Sequence, residues 1–377
     1  MLNSRQSVGT FAPRYRFGMS RPGPHKPFPF PVDCEDDAFS IGLFVPMIGV
    51  AGIWGPSGIA CATLAAEEIN QAGGILGREI RLKCVNASDE VEGLAQVTRE
   101  LVDSGSIGAI VGMHTSSVRR AVIEGCRGRL PYVYTALHEG GERSPGVFTI
   151  GETPDRQLQP VIDMFINQWG ARRWMFIGND YEWPWITHRL ARSYVYQSGG
   201  TVLSEACVPF GAENFDVILQ KIDEVKPDAV LLSLVGQDAI DFNRAFGQAG
   251  LGHSILRLSC AVEENILLAI GEGNADNLFV SSGYFGASTD DVNMSFKERY
   301  HQRFGQRAPT LNSLGQSNYE GIYFAAALAL RALEQGSARP LEYKGIRGIS
   351  WASNSSISYP VHLARADGHL FRVVKSF

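Results

Sequence analysis

The residues best suited to chemistry in this 377-residue chain are a few hydroxyls, aromatic rings and one acid, each set just after an apolar run. Ser116 and Ser117 follow the buried-strand pattern at Ile107–Gly112 and precede a helical pattern that reaches about Arg127. Hydroxyls and free N–H groups at a helix start suit a carbonyl or carboxylate oxygen, although either serine could equally be an N-cap. Tyr134 and Thr135 end the next strand pattern, so their side chains would project from the same sheet edge. Tyr181 and Trp183 lie i, i+2 in what reads as an extended loop, which would set both rings on one side as an aromatic wall. Packing is the commoner use of a tryptophan, yet two aromatics beside Pro184 are costly to leave exposed. Gly236 lies in a glycine-containing turn after a later strand, and Glu263 follows another. Glu263 could accept an N–H from an amide or ammonium group, or be an exposed acid near a helix N-terminus.

These residues suit binding better than catalysis. The chain has no GxSxG elbow, no HExxH and no Walker lysine motif. Its six cysteines (Cys34, Cys61, Cys84, Cys126, Cys207, Cys260) are scattered without a CxxC, and buried reduced thiols are the favoured reading. Arg127 could lower the pKa of Cys126, but the position near a helix end fits an inert buried thiol better. No enzyme, metal or cofactor is therefore expected. The first strand-loop-helix lacks GxGxxG, which argues against a dinucleotide. A formal net charge of −5 without a basic stripe argues against nucleic acid. No apolar run approaches the ~20 residues that span a bilayer.

The elements that must position these groups form an α/β protein. Ile41–Val45 reads as a strand, a Pro/Gly/Ser-rich loop follows, and a helix runs from about Ser57 to Gly73-Gly74. A second strand after Arg78 completes a βαβ unit, whose first loop lies where such sheets hold ligands. Strand and helix patterns then alternate to Gly151, and a second such set runs from Asp155 to Ser281. Two helical patterns, 291–305 and 316–336, and two β-rich pieces, Ser356–Ala364 and Leu370–Val374, complete the chain. The length alone predicts two domains.

Several segments carry a more specific signal: Gly73-Gly74-Ile75-Leu76-Gly77-Arg78-Glu79, Val111–Val122, Tyr134–Pro145, Phe176–Pro184, and Tyr284-Phe285 with Ser288 and Thr289. In order and spacing they resemble the amide/urea branch of the type I periplasmic-binding-protein fold. That branch includes the amide sensor of aliphatic amidase operons and the urea receptor of an ABC importer. The resemblance runs from about residue 39 to the late 330s and implies two doubly wound Rossmann-like lobes joined by a multi-strand hinge. Lobe 1 would comprise 39–151 plus 284–339, and lobe 2 152–283 plus 340–377. It also implies a ligand clasped between the lobes by His114, Thr115, Ser116, Tyr134 and Thr135 from one side and Tyr181, Trp183, Gly236 and Glu263 from the other. His114 stands where relatives carry an aromatic residue, a departure expected to favour a more polar or acidic ligand. Trp185 replaces a basic residue and would enlarge the apolar wall.

The expected ligand is a small amide-, urea- or amino-acid-like solute. The expected partner is either a regulatory protein or an ABC permease, and a homodimer fits both. Residues 1–38 read as a disordered proline-rich arm without the apolar h-region of a secretory signal. With the thiols, that favours a cytoplasmic sensor; a misassigned start codon would restore a periplasmic receptor.

Overall fold

The computed structural model describes residues 38–75, 77–89, 92–333, 342–348, 350–352 and 359–377. The arm expected at 1–38 lies outside the described residues, except that Ala38 opens the first strand.

Two sheets organise the chain. In the first, β1 (Ala38–Val45), β2 (Glu79–Asn86), β3 (Ala109–Gly112), β4 (Tyr132–Tyr134) and β5 (Val147–Thr149) run parallel in the order β2-β1-β3-β4-β5. Parallel neighbours need long crossovers, here the helices α1 (Gly55–Gln71), α2 (Leu94–Asp103) and α3 (Ser116–Cys126). Helices on both faces explain why β1 is almost continuously apolar, with only Ser40 half-buried.

The second sheet holds β6 (Arg173–Asn179), β7 (Thr201–Val208), β8 (Ala229–Ser233), β9 (Leu256–Ser259) and β10 (Leu278–Ser282). Between Gly151 and β10 lie α4 (Pro154–Gln157), α5 (Gln159–Asn167), α6 (Glu182–Gln197), α7 (Asp216–Val225), α8 (Gly236–Gln248) and α9 (Glu264–Ile270). After β10 the chain returns to the first sheet through α10 (Asp291–Phe304) and α11 (Ser313–Leu333). A short antiparallel pair follows, β11 (Glu342–Lys344) with β12 (Ser350–Ala352). The hairpin β13 (His362–Asp367) and β14 (Leu370–Ser376) then joins β10 antiparallel, giving the order β14-β13-β10-β9-β8-β6-β7.

Helix α11 packs on α1, β3 and β4. Small residues allow this close approach: a Cβ on Gly58 would come within 2.7 Å of Asn318 Nδ2. Arg299 and Arg303 of α10 then pair with Glu68 and Glu67 of α1 at 2.7 and 2.6 Å.

The chain passes between the sheets after β5, after β10 and after α11, and these crossings are stitched together. Buried Glu152 accepts the Gly283 N–H at 3.1 Å and Arg347 Nη1 at 3.2 Å. The Tyr359 hydroxyl accepts the Thr153 N–H at 2.7 Å. The result is two α/β lobes with a hinge made of several segments.

Candidate functional site

The first wall of the interlobe cleft is built at the carboxyl ends of β3 and β4. Thr115, rather than either serine, is the N-cap of α3, its side chain accepting the Val118 N–H. The Thr115 hydroxyl donates to Asp89 at 2.8 Å, and Ser117 also donates to Asp89. Ser116 opens the helix and donates to Glu139 Oε2 at 2.7 Å. Arg119, one turn on, pairs with Glu139 and lies 3.3 Å from Glu142, with its guanidinium 4.8 Å from the centre of the Tyr134 ring. The Tyr134 hydroxyl donates to the His114 carbonyl at 2.6 Å.

His114 is a packed core residue. Its Nδ1 faces the Thr115 carbonyl at 3.1 Å and its Nε2 the Tyr132 hydroxyl at 3.0 Å. The consistent assignment has Nδ1–H donating and Nε2 accepting. Burial pushes its pKa down to about 3, so the ring is neutral. Both nitrogens are taken, which removes the expected reason for His114 to favour an acidic ligand.

The second wall comes from the other lobe. Tyr181 has extended backbone and caps α6, whereas Trp183 already lies in the first helical turn. The expected extended loop is therefore a helix start, and i, i+2 alternation is not what brings the rings together. They nevertheless converge, with centroids 6.3 Å apart, and both are buried. Trp185 points outward, 52% exposed and bonded to Asp180, so it does not enlarge this wall. Glu263 is no exposed acid: it is the buried N-cap of α9, and its Oε2 accepts Trp54 Nε1 from the opposite lobe at 3.2 Å.

Together His114, Thr115, Ser116, Tyr134, Tyr181 and Trp183 line one space, completed chiefly by Trp54, Ala136, Leu137 and Leu314. A second space shares Leu137 and Leu314 with it and is lined by Glu152, Glu263, Glu264 and Tyr284. Two expected residues line neither. Thr135 faces α11, bonding Asn318 and Ser317 at 3.1 and 3.2 Å. Gly236 meets the first lobe instead: its φ is +51°, and an added Cβ would fall 1.9 Å from the Val50 carbonyl oxygen. Gln237 N–H donates to that same carbonyl at 3.0 Å.

A family model described as periplasmic binding protein matches residues 38–371. The chain belongs to this family. Among solved structures of like fold is an ABC-transporter solute-binding protein of Rhodopseudomonas palustris BisB5, in complex with 3,4-dihydroxybenzoic acid. It is 21% identical, with a TM-score of 0.78 over 91% of this chain and 98% of that one. The branched-chain amino acid transporter substrate-binding protein LivJ of Streptococcus pneumoniae, in complex with isoleucine, is 17% identical. Its TM-score is 0.75 over 90% of this chain and 98% of that one. An ABC-transporter substrate-binding protein of Sphaerobacter thermophilus is 24% identical, with a TM-score of 0.74 over 90% and 98%. No helix among the described residues is long and apolar enough to cross a membrane.

Two other side-chain groups among the described residues of this periplasmic binding protein lack such an arrangement. Cys126 is buried, its Sγ 3.4 Å from the Leu130 carbonyl oxygen, and burial raises its pKa, the reverse of an activated thiol. His188, Glu205 and Cys207 come within 4.8 Å of one another, but none lines the cleft and Glu205 is paired with Arg192.

Sequence reasoning missed Trp54, Arg119, Glu139, Glu152 and Arg347. Trp54 alone had a signal, since it sits in the loop after β1 that was read as ligand-facing. Glu139 falls in a turn-rich stretch, and nothing local marks it as the partner of α3.

Proposed function

We propose that this chain is the solute receptor of an ABC importer, closing its lobes over a small amide-, urea- or amino-acid-like molecule. The observation that carries the reading is the single space shared by Ser116 and Tyr134 of one lobe and Tyr181 and Trp183 of the other. The division into lobe 1 (39–151 with 284–339) and lobe 2 (152–283 with 340–377) rests on the two sheets and on α10 and α11 returning to the first. Family membership and neighbours described as ABC solute-binding proteins support a receptor, working outside the cytoplasm with a membrane permease, over a cytoplasmic sensor.

Closure follows from where contacts form. Trp54 reaches Glu263, and Asn265 Nδ2 donates to the Ile53 carbonyl at 3.0 Å, so the lobes already touch beside the cleft. A solute shifts the open–closed balance only by what it gains in the closed form, and the two rings of lobe 2 supply that gain. The sensor remains a second reading because Cys84 and Cys207 are unpaired and exposed, which suits a reducing compartment.

A thermal-shift screen of ureas, short amides, amino acids and small carboxylates tests binding, since a specific solute raises the melting temperature by mass action. A stabilising solute that acts equally on a Trp183→Ala variant would put the site elsewhere. Fractionation of the native host separates the roles: a receptor is recovered with exported proteins, a sensor with the cytoplasm.

A further inference from the structure

The α3 end of the cleft is already supplied with negative charge from within the chain. Each hydroxyl there donates to an internal acceptor: Thr115 and Ser117 to Asp89, Ser116 to Glu139, and Tyr134 to the His114 carbonyl. A serine has one O–H, so once it points at Glu139 the Ser116 oxygen has only lone pairs to offer a solute. The cation that reaches Ser116 is engaged as well, because Arg119 holds Glu139 and Glu142 and donates to Ser116 at 3.4 Å. The positive end of α3 thus has a carboxylate on either side, Asp89 and Glu139. Ala136 and Leu137, the next lining residues of that lobe, bring no hydroxyl.

At the α9 end of the cleft two polar groups are left unfinished. Glu263 Oε1 and the Tyr284 hydroxyl are buried and have no hydrogen-bond partner among the described residues, and both residues line the second space. A buried unpaired polar atom is costly, and a solute that supplies the missing partner removes the cost. A carboxylate oxygen accepts hydrogen bonds and, when ionised, cannot donate one.

Resting on the solute-receptor reading, we propose that Glu139, held by Ser116 and Arg119, is an internal stand-in for a ligand carboxylate. The cleft therefore selects an uncharged or cationic solute bearing N–H donors and refuses its carboxylate counterpart. Glu139 is the specificity-determining residue. A carboxylate placed at Ser116 meets Glu139 directly behind that hydroxyl, with the Arg119 guanidinium already committed. An amide, donor and acceptor at once, instead pairs with the Ser116 lone pairs, Glu263 Oε1 and the Tyr284 hydroxyl. The solved neighbours bound to 3,4-dihydroxybenzoic acid and isoleucine supply the contrast, since both of those molecules carry a carboxyl group.

The test uses matched pairs differing only at that group, benzamide with benzoate and isoleucinamide with isoleucine, together with urea. Calorimetry and thermal shift are run on the full chain. At least one amide or urea is expected to bind, each binding amide about tenfold or more tighter than its acid. Glu139→Gln, which removes the internal charge but keeps the shape, is expected to narrow that ratio by on the order of tenfold. A wild-type chain that binds either acid as tightly as its amide overturns the inference and leaves the receptor reading intact. Binding by no member of the set removes the receptor reading and this inference with it. The wild-type comparison stands whether or not the variant folds.

Discussion

The two ends of the cleft differ in how complete they are. At the α3 end, His114, Thr115, Ser116, Arg119, Tyr132 and Tyr134 form a buried network in which each O–H donates within the chain. At the α9 end, Glu263 and Tyr284 each present a buried polar atom without a hydrogen-bond partner among the described residues. A satisfied network holds its geometry without a ligand, while an unsatisfied one gains most when a ligand arrives. The α3 end therefore sets the shape of the site, and the α9 end supplies much of what binding changes.

The most damaging way to test this contrast is Arg119→Met. It leaves Glu139 and Glu142 without their common cation, and removing one member of a buried pair costs about 3–5 kcal/mol. Urea denaturation should register that loss even without solute. A loss under ~1 kcal/mol would mean that the α3 end is not held by this network.

Trp183→Ala attacks the opposite wall. A buried aromatic at the centre of a binding surface contributes about 2–4 kcal/mol, so solute affinity should fall between about thirtyfold and a thousandfold. The first wall should be undisturbed, with the Arg119 network still protected in amide exchange. Unchanged affinity would mean that lobe 2 closes on something other than this ring.

How much of this was legible depended on whether a signal was local. The βαβ alternation was readable because buried parallel strands are apolar on both faces, and Ser116 and Tyr134 followed from their places at strand ends. The start of α6 differs from the extended loop expected at Tyr181 and Trp183 because Pro184 lies inside the first turn of the helix. Proline is tolerated in the first turn, where its missing N–H is an orphan in any case. The pairings that complete the cleft left no local trace: Trp54 and Glu263 lie 209 residues apart, and Glu152 and Arg347 195. For Glu263 the sequence leaves ligand acceptor and exposed acid both open, because nothing near it in sequence announces the tryptophan that covers it.

Acidity offers a finer probe of the unfinished end. Burial pushes the Glu264 pKa from 4.5 up to about 7, and its Oε1 accepts only the Gly286 N–H, at 2.6 Å, among the described residues. A carboxyl group whose folded pKa is raised binds more protons folded than unfolded. Its contribution to stability is complete below about pH 4.5 and is lost as pH rises to about 7. His114 acts oppositely, since its lowered pKa makes stability fall as pH drops below 6.5. Subtracting a Glu264→Gln titration from that of the wild type isolates the carboxyl group. The difference should slope by up to ~1.4 kcal/mol per pH unit within that window and be flat above it. A flat difference throughout would mean that water reaches Glu264 freely.

The smallest expected effect lies at the rim, where Arg120 of α3 pairs with Glu182 of α6 across the two lobes. The Arg120 side chain is 69% exposed, so solvent and salt screen the pair and its worth is at most ~1 kcal/mol. Because the partners belong to different lobes, that energy acts on the open–closed balance rather than on the fold of either lobe. Arg120→Ala should weaken solute affinity no more than about fivefold, leave the unfolding midpoint unchanged, and lose its effect above roughly 0.5 M salt. An effect as large as that of Trp183→Ala, persisting in high salt, would move the decisive contact from the ring to the rim. The second lobe would then owe its grip to charge rather than to aromatic area.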